Sequence, residues 1–266
     1  MKIAIIGAGN MGGATARGMA QGTKVAPSDI CVSNPSRGKL DALKADFPAM
    51  CVTSDNKECV RGADLVILAV KPWKMEGVIA EIRDEMDYGK VCVASMAGGM
   101  GTEVISQMLD RGDGTPLPPV FYLIPNTAVA VRQSMTFISG VRASREMEQW
   151  MVDVFGELGD AMWVEERLMG AGMALASCGI AYAMRYVRAA TEGGVELGMY
   201  ARDAQRIVEQ TLQGAVALLR ANQSHPEQEI DKVTTPGGIT IRGLNAMEQA
   251  GFTNSVIQGL KASKTK

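Results

Sequence analysis

The run Gly7-Ala8-Gly9-Asn10-Met11-Gly12 places three glycines at the spacing that lets a backbone close on a pyrophosphate. It follows the apolar Lys2–Ile6 and opens a stretch of helical spacing, which is the strand-to-helix setting that such a turn requires. Each glycine has its own task there. Gly7 permits the tight turn, Gly9 lets the backbone approach the anion, and Gly12 lets helix pack on strand. The bare N–H groups of the first helical turn, where Asn10 and Met11 stand, then face the phosphates. An acidic residue about twenty positions on would hold a ribose 2′-hydroxyl. This chain has Cys31-Val32-Ser33-Asn34-Pro35-Ser36-Arg37 there, with no carboxylate. Asn34, Ser36 and Arg37 can instead hold a 2′-phosphate, which a carboxylate would repel. The expected cofactor is NADPH, with NADH possible and less favoured.

Other chemistry is thinly supplied. His225 is the only histidine, stands before Pro226 and reads as a surface turn residue. A His-rich metal site is therefore excluded and no metal is expected; a Ser-His-Asp hydrolase would have no supporting motif. Cys31, Cys51, Cys59, Cys92 and Cys178 form no C-x-x-C pair and read as buried reduced thiols. Glu192 and Glu196 lie one helical turn apart and read as a solvated face. The formal net charge of −2 argues against nucleic acid or an anionic membrane as partner. No apolar run approaches the roughly 20 residues that cross a bilayer. The amino-terminal run is too short for a signal peptide and enters a glycine turn, so a cytoplasmic protein is expected.

The elements that must position these residues alternate. Strands are expected over 2–7, 29–33, 50–53, 63–69, 90–95, 120–124, 135–139 and 161–164. Helical spacing marks 13–21, 39–45, 75–86 and 102–109, and 111–119 reads as a Gly- and Pro-rich surface loop. Strand-helix alternation at this pitch predicts a mostly parallel α/β sheet of Rossmann type. After Val164 no strand is expected. Long helices over 167–197 and 201–221 follow, then shorter ones to the end. The small residues of the first of these let a second helix approach closely. The boundary falls between a dinucleotide-binding domain, 1–164, and an all-α domain, 165–266, a tail just long enough to form its own core.

Three strand ends and a late segment carry a family resemblance. Ala69-Val70-Lys71-Pro72 ends the fourth strand, Ser95-Met96-Ala97-Gly98-Gly99 the fifth and Pro125-Asn126-Thr127 the sixth. Carboxyl ends of parallel strands form the ligand crevice. With Asp231-Lys232-Val233-Thr234-Thr235-Pro236-Gly237-Gly238-Ile239-Thr240-Ile241-Arg242-Gly243-Leu244 and Glu248–Phe252, they resemble the pyrroline-5-carboxylate reductases over essentially the whole chain. The resemblance implies a helical dimerisation domain, a homodimer and a higher ring such as a decamer. It implies that Asn56 meets the adenosine side of the cofactor, that Ala69, Val70, Lys71, Pro72, Ala97 and Gly98 line the nicotinamide half, and that Asn126 neighbours the substrate. Thr240 would hydrogen-bond the imine nitrogen. The chain departs from the family pattern at Ala128, Cys178, Ile180, Ile239 and Arg242, positions near the substrate and the dimer helix.

Reduction of a cyclic imine asks little of a protein: the cofactor supplies the hydride, and the site holds the carboxylate and orients the nitrogen. Thr235, Gly237, Gly238 and Ile239 expose backbone N–H groups before a helix, an anion site fit for a substrate carboxylate. The Thr240 hydroxyl can donate or accept as the nitrogen changes state. The expected reaction is reduction of L-1-pyrroline-5-carboxylate to L-proline. Rival expectations are a reductase of another cyclic imine, a β-hydroxyacid-type dehydrogenase, and a non-catalytic NADP(H)-sensing protein. The dehydrogenase would want an acid-base lysine in the first long helix, which has none.

Overall fold

The computed structural model describes residues 1–264. The chain divides into two compact units, Met1–Ser177 and Cys178–Ser263. The first runs β1 (Ile3–Ile6), α1 (Asn10–Ala20), β2 (Ile30–Ser33), α2 (Arg37–Asp46), β3 (Cys51–Thr53) and α3 (Asn56–Val60). It continues through β4 (Leu65–Leu68), α4 (Met75–Ile82), β5 (Cys92–Ser95), α5 (Thr102–Leu109), β6 (Val120–Ile124), β7 (Ser134–Val141), α6 (Arg145–Gly156), β8 (Gly159–Trp163) and the single turn α7 (Met169–Gly172).

The eight strands form one sheet in the order 3-2-1-4-5-6-7-8. Pairing is parallel from β3 through β6 and between β7 and β8. Every residue of β1, β4, β5 and β6 is buried, as continuous apolar strands covered on both faces must be. Ile3, Ile5, Leu65, Ile67 and Phe121 serve the core on one face, and Ala4, Ile6, Val66, Leu68 and Val93 that on the other. The direction reverses at β7, which pairs antiparallel with β6, and β8 runs with β7. The connection between them holds only a short 3-10 turn, Thr127–Val131, whereas a parallel return needs a crossover of a dozen residues or more.

Two expectations need correction. The stretch 167–197 is helical as expected but not regular α-helix: α7 runs into a π turn, Met173–Cys178, and then α8 (Gly179–Glu196). The five thiols are not uniformly buried either. Cys59 and Cys92 are, Cys31 and Cys178 are half-buried, and Cys51 is exposed, because β3 is an edge strand.

The second unit holds α8, α9 (Ala201–Asn222), α10 (Pro226–Val233), α11 (Ile239–Gln249) and α12 (Phe252–Ala262). Helices α8 and α9 approach closely: a Cβ on Gly194 would stand 2.8 Å from that of Ala204. The expected independent core does not form. Ala204 is the only buried residue described in this unit, while Met184, Leu197, Tyr200 and Leu218 are exposed. Its amphipathic helices keep apolar faces that their own fold does not cover.

Candidate functional site

The strand order reverses direction at β1, between β2 and β4. Connections leave the carboxyl ends of these two strands in opposite directions, so a crevice opens there. It measures about 720 Å³ and is walled by the segments following β1, β2, β3, β4 and β5. That size lies within the range of small-molecule sites.

The glycine turn at its centre divides labour as its spacing predicts. Gly7 has φ +105°, and a Cβ there would stand 2.8 Å from the Ala69 carbonyl oxygen. A Cβ on Gly12 would run into the Gly7 carbonyl and stand 2.7 Å from the Ala69 Cβ. Gly9 differs: a Cβ would meet nothing within 4 Å, so its backbone faces open space. Gly9 is also the N-cap of α1, and no side chain caps that helix. Its first N–H groups, flanked by Asn10 and Met11 in the crevice wall, are therefore left for an anion.

The end of β2 braces this turn. Asn34 is buried; its Oδ1 accepts the Ala8 N–H at 3.0 Å and its Nδ2 donates to the Ser36 carbonyl at 3.1 Å. Beside it the Ser33 hydroxyl donates to Asn56 Oδ1 at 2.6 Å, and Asn56 Nδ2 donates to Glu81 Oε2 at 2.9 Å. Asn34 and Asn56 both line the crevice. Ser36 and Arg37 do not; the cation that α2 contributes to the wall is Lys39. Successive residues of an α-helix are turned by about 100°, so positions two apart face nearly opposite ways. Lys74, from the turn after Pro72, is a second cation in the wall.

The far end of the crevice is built by Ala69, Val70, Lys71 and Pro72 after β4 and by Met96, Ala97 and Gly98 after β5. A Cβ on Gly98 would stand 3.3 Å from Met173 of the π turn. Gly99 donates its N–H to the Tyr122 hydroxyl at 3.0 Å, which steadies this loop. Burial pushes the Tyr122 pKa above its ordinary value, so the hydroxyl keeps its proton while it accepts that bond. Asn126 is buried and caps the 3-10 turn: Oδ1 accepts the Ala128 N–H at 2.9 Å and Nδ2 donates to the Ala176 carbonyl at 3.4 Å. It is absent from the crevice wall.

In the helical unit, Thr235-Pro236-Gly237-Gly238 closes a turn, with Gly238 N–H donating to the Thr235 carbonyl at 2.9 Å and Gly237 at φ +69°. Pro second and a left-handed Gly third make this a type II turn. Gly238 then caps α11 with no side-chain bond, leaving the N–H groups of Ile239 and Thr240 free at a helix start. Both side chains are exposed.

Lys39, Lys74, Ser54, Glu81 and Tyr122 were not singled out in the sequence. Helical phase from Arg37 could have pointed to Lys39. Nothing local marks Glu81 or Tyr122, whose partners lie 25 and 23 residues away.

Among known proteins, residues 2–99 match a family model described as NADP oxidoreductase, coenzyme F420-dependent, and residues 166–266 one described as pyrroline-5-carboxylate reductase dimerisation. Pyrroline-5-carboxylate reductase 2 of Dictyostelium discoideum is 33% identical over 277 residues, covering 99% of this chain and 91% of that protein. Reductase 1 of the same organism is also 33% identical, but the chain spans only 49% of its length. The solved pyrroline-5-carboxylate reductase of Coxiella burnetii superposes with a TM-score of 0.88 at 29% identity, covering 98% of this chain and 95% of that one. With a sheet-edge crevice around an open glycine turn and full-length relatives above 30% identity, the chain belongs to the pyrroline-5-carboxylate reductase family.

Proposed function

We propose that this protein reduces L-1-pyrroline-5-carboxylate to L-proline with NADPH. The observation that carries this is the crevice at the carboxyl edge of β1 and β4, open over Gly9 and walled by two cations, Lys39 after β2 and Lys74 after β4. Its residues fit a phosphorylated dinucleotide: free N–H groups at the start of α1 suit the pyrophosphate, and no carboxylate follows β2 to repel a 2′-phosphate. Ser54 and Asn56 would hold the adenosine end, and Ala69–Pro72 with Ala97 and Gly98 the nicotinamide end. When bound, NADPH supplies the hydride that the imine carbon accepts.

The protein's own work is binding and orientation. The helix start after Gly237-Gly238 holds the substrate carboxylate on backbone N–H groups. The Thr240 hydroxyl accepts a hydrogen bond from the protonated imine nitrogen and keeps it as the amine forms. Lys71, ahead of Pro72 at a strand end, contributes backbone to the crevice rather than a proton. Exclusion of water matters less than pose, because the iminium carbon is already electrophilic; the reacting atoms must come within about 3–3.5 Å.

The uncovered helices of the second unit support a homodimer assembling into a higher ring such as a decamer. Five unbridged thiols accord with a cytoplasmic enzyme. The deciding experiment follows loss of NADPH absorbance with pyrroline-5-carboxylate and detects proline. Turnover only with another cyclic imine would move the substrate assignment; cofactor binding without turnover of any imine would identify a sensor and refute the enzyme.

A further inference from the structure

Three thiols gather at the sheet edge beside the crevice, and nothing in imine reduction uses them. Cys31 of β2 and Cys51 of β3 are direct register partners, so their side chains leave the same face. Their Sγ atoms stand 2.8 Å apart. Cys59 of α3 lies against the pair, its Sγ donating to the Cys31 carbonyl at 3.4 Å. Neighbouring strands are about 4.7–4.9 Å apart, inside the Cα separation of about 4.4–6.8 Å that a disulfide spans. Little movement separates two thiols so placed from a covalent bond. Among the described residues no three His, Cys, Asp or Glu side chains are set to share a metal ion. The cluster therefore fits redox chemistry better than ligation.

We propose that Cys31 and Cys51 are a site of reversible oxidation, closing to a disulfide that staples the edge strand β3 to β2. Cys51 is the exposed member and meets the oxidant, a peroxide, first. Its sulfur attacks one peroxide oxygen; the O–O bond breaks, one water leaves, and a sulfenic acid forms. The Cys31 sulfur then attacks that sulfur, the hydroxyl departs with the Cys31 proton as a second water, and the S–S bond remains. Two electrons have passed from the sulfurs to the peroxide. A thiol reductant reverses the change.

The surroundings set the pace. Although Cys51 is exposed, partial desolvation of its sulfur and the neighbouring Cys31 thiol push its pKa up to about 12. Cys31 is raised as well, by its hydrogen bond with Cys59 and by burial. Both sulfurs rest protonated at neutral pH, so oxidation requires sustained exposure. A bond between two poorly leaving sulfurs is also reduced slowly. The consequence for the crevice follows from connectivity: β2 runs on into Ser33 and Asn34, and β3 into Ser54 and Asn56, all four in its wall. Stapling the strands fixes the spacing of these two segments.

The bond does not depend on the substrate proposed above, and its test needs no turnover. The full chain is exposed to hydrogen peroxide, alkylated and cut with trypsin, which places Cys31, Cys51 and Cys59 in separate peptides, 25–37, 45–57 and 58–61. The expected product joins 25–37 to 45–57, disappears with dithiothreitol, is lost in Cys51→Ser and survives in Cys178→Ser. Cys51 is exposed on an edge, so the serine variant keeps the fold. Linkage of 25–37 to 58–61, bridges only between chains, or Cys51 oxidised without a bridge would each overturn the proposal. In the bridged protein, amide exchange across Cys51–Thr53 slows and the KM for NADPH shifts with kcat held. If neither changes, the staple does not act on the crevice.

Discussion

The Asn34 side-chain oxygen accepts the Ala8 N–H at 3.0 Å, so the residue just after β2 clamps the glycine turn that follows β1. Both groups are buried. Asn34→Ala would leave a buried donor without a partner, which costs about 1–3 kcal/mol. Urea unfolding should show that loss, and NADPH titration should show weaker binding of the cofactor. Unchanged binding would mean that the turn holds its shape without the clamp.

Gly9 and Gly12 should fail in different ways. Gly9 has φ −69° and ψ −171°, a backbone any residue adopts, and space around it. Gly9→Ala should fold with an unchanged Tm yet lose cofactor affinity, because the new methyl occupies the space left for the pyrophosphate. Gly12→Ala drives its methyl into the Gly7 carbonyl and the Ala69 Cβ; overpacking of this kind costs about 1–3 kcal/mol. Thermal melts paired with isothermal titration separate the two outcomes.

Discrimination between NADPH and NADH should reside in Lys39. A hydrogen bond to a charged group contributes about 1.5–3 kcal/mol, so Lys39→Ala should weaken NADPH roughly ten- to a hundredfold and NADH far less. Arg37→Ala, outside the crevice wall, should change the ratio little. The reverse pattern would return the 2′-phosphate to the start of α2.

Thr240→Ala should lower kcat roughly ten- to a hundredfold, the range expected for one lost bond to a charged nitrogen. NADPH binding should hold, and Thr240→Ser should restore much of the rate. Equal turnover in the alanine variant would remove the hydroxyl from the mechanism.

Assembly should depend on the helical unit. Ile207 is 48% exposed on α9 in a unit with no core beyond Ala204. A charge in an apolar interface is costly to desolvate, so Ile207→Glu should reduce the oligomer seen by light scattering and lower the Tm. An unaltered mass would place the interface on another face.

The strands, the glycine turn and the order of the elements were legible in the amino-acid sequence. These depend on near neighbours: runs of Ile and Val buried on both faces, a left-handed Gly7, and a Pro-Gly-Gly turn before a helix all declare themselves within a few residues. The strand ends at Lys71-Pro72 and Ala97-Gly98 were legible too, since parallel strands bring their carboxyl ends to one edge.

Tertiary structure alone decided which side chains meet across that order. Lys39 rather than Arg37 stands in the wall because the packing of α2 on the sheet fixes which side of its first turn borders the crevice. Cys31 faces Cys51 because strand register sets residues 20 apart side by side. The helices from Cys178 on look amphipathic in sequence, and only their packing shows that one chain leaves their apolar faces uncovered: periodicity reveals which side wants burial, and the number of surfaces available decides whether it is buried.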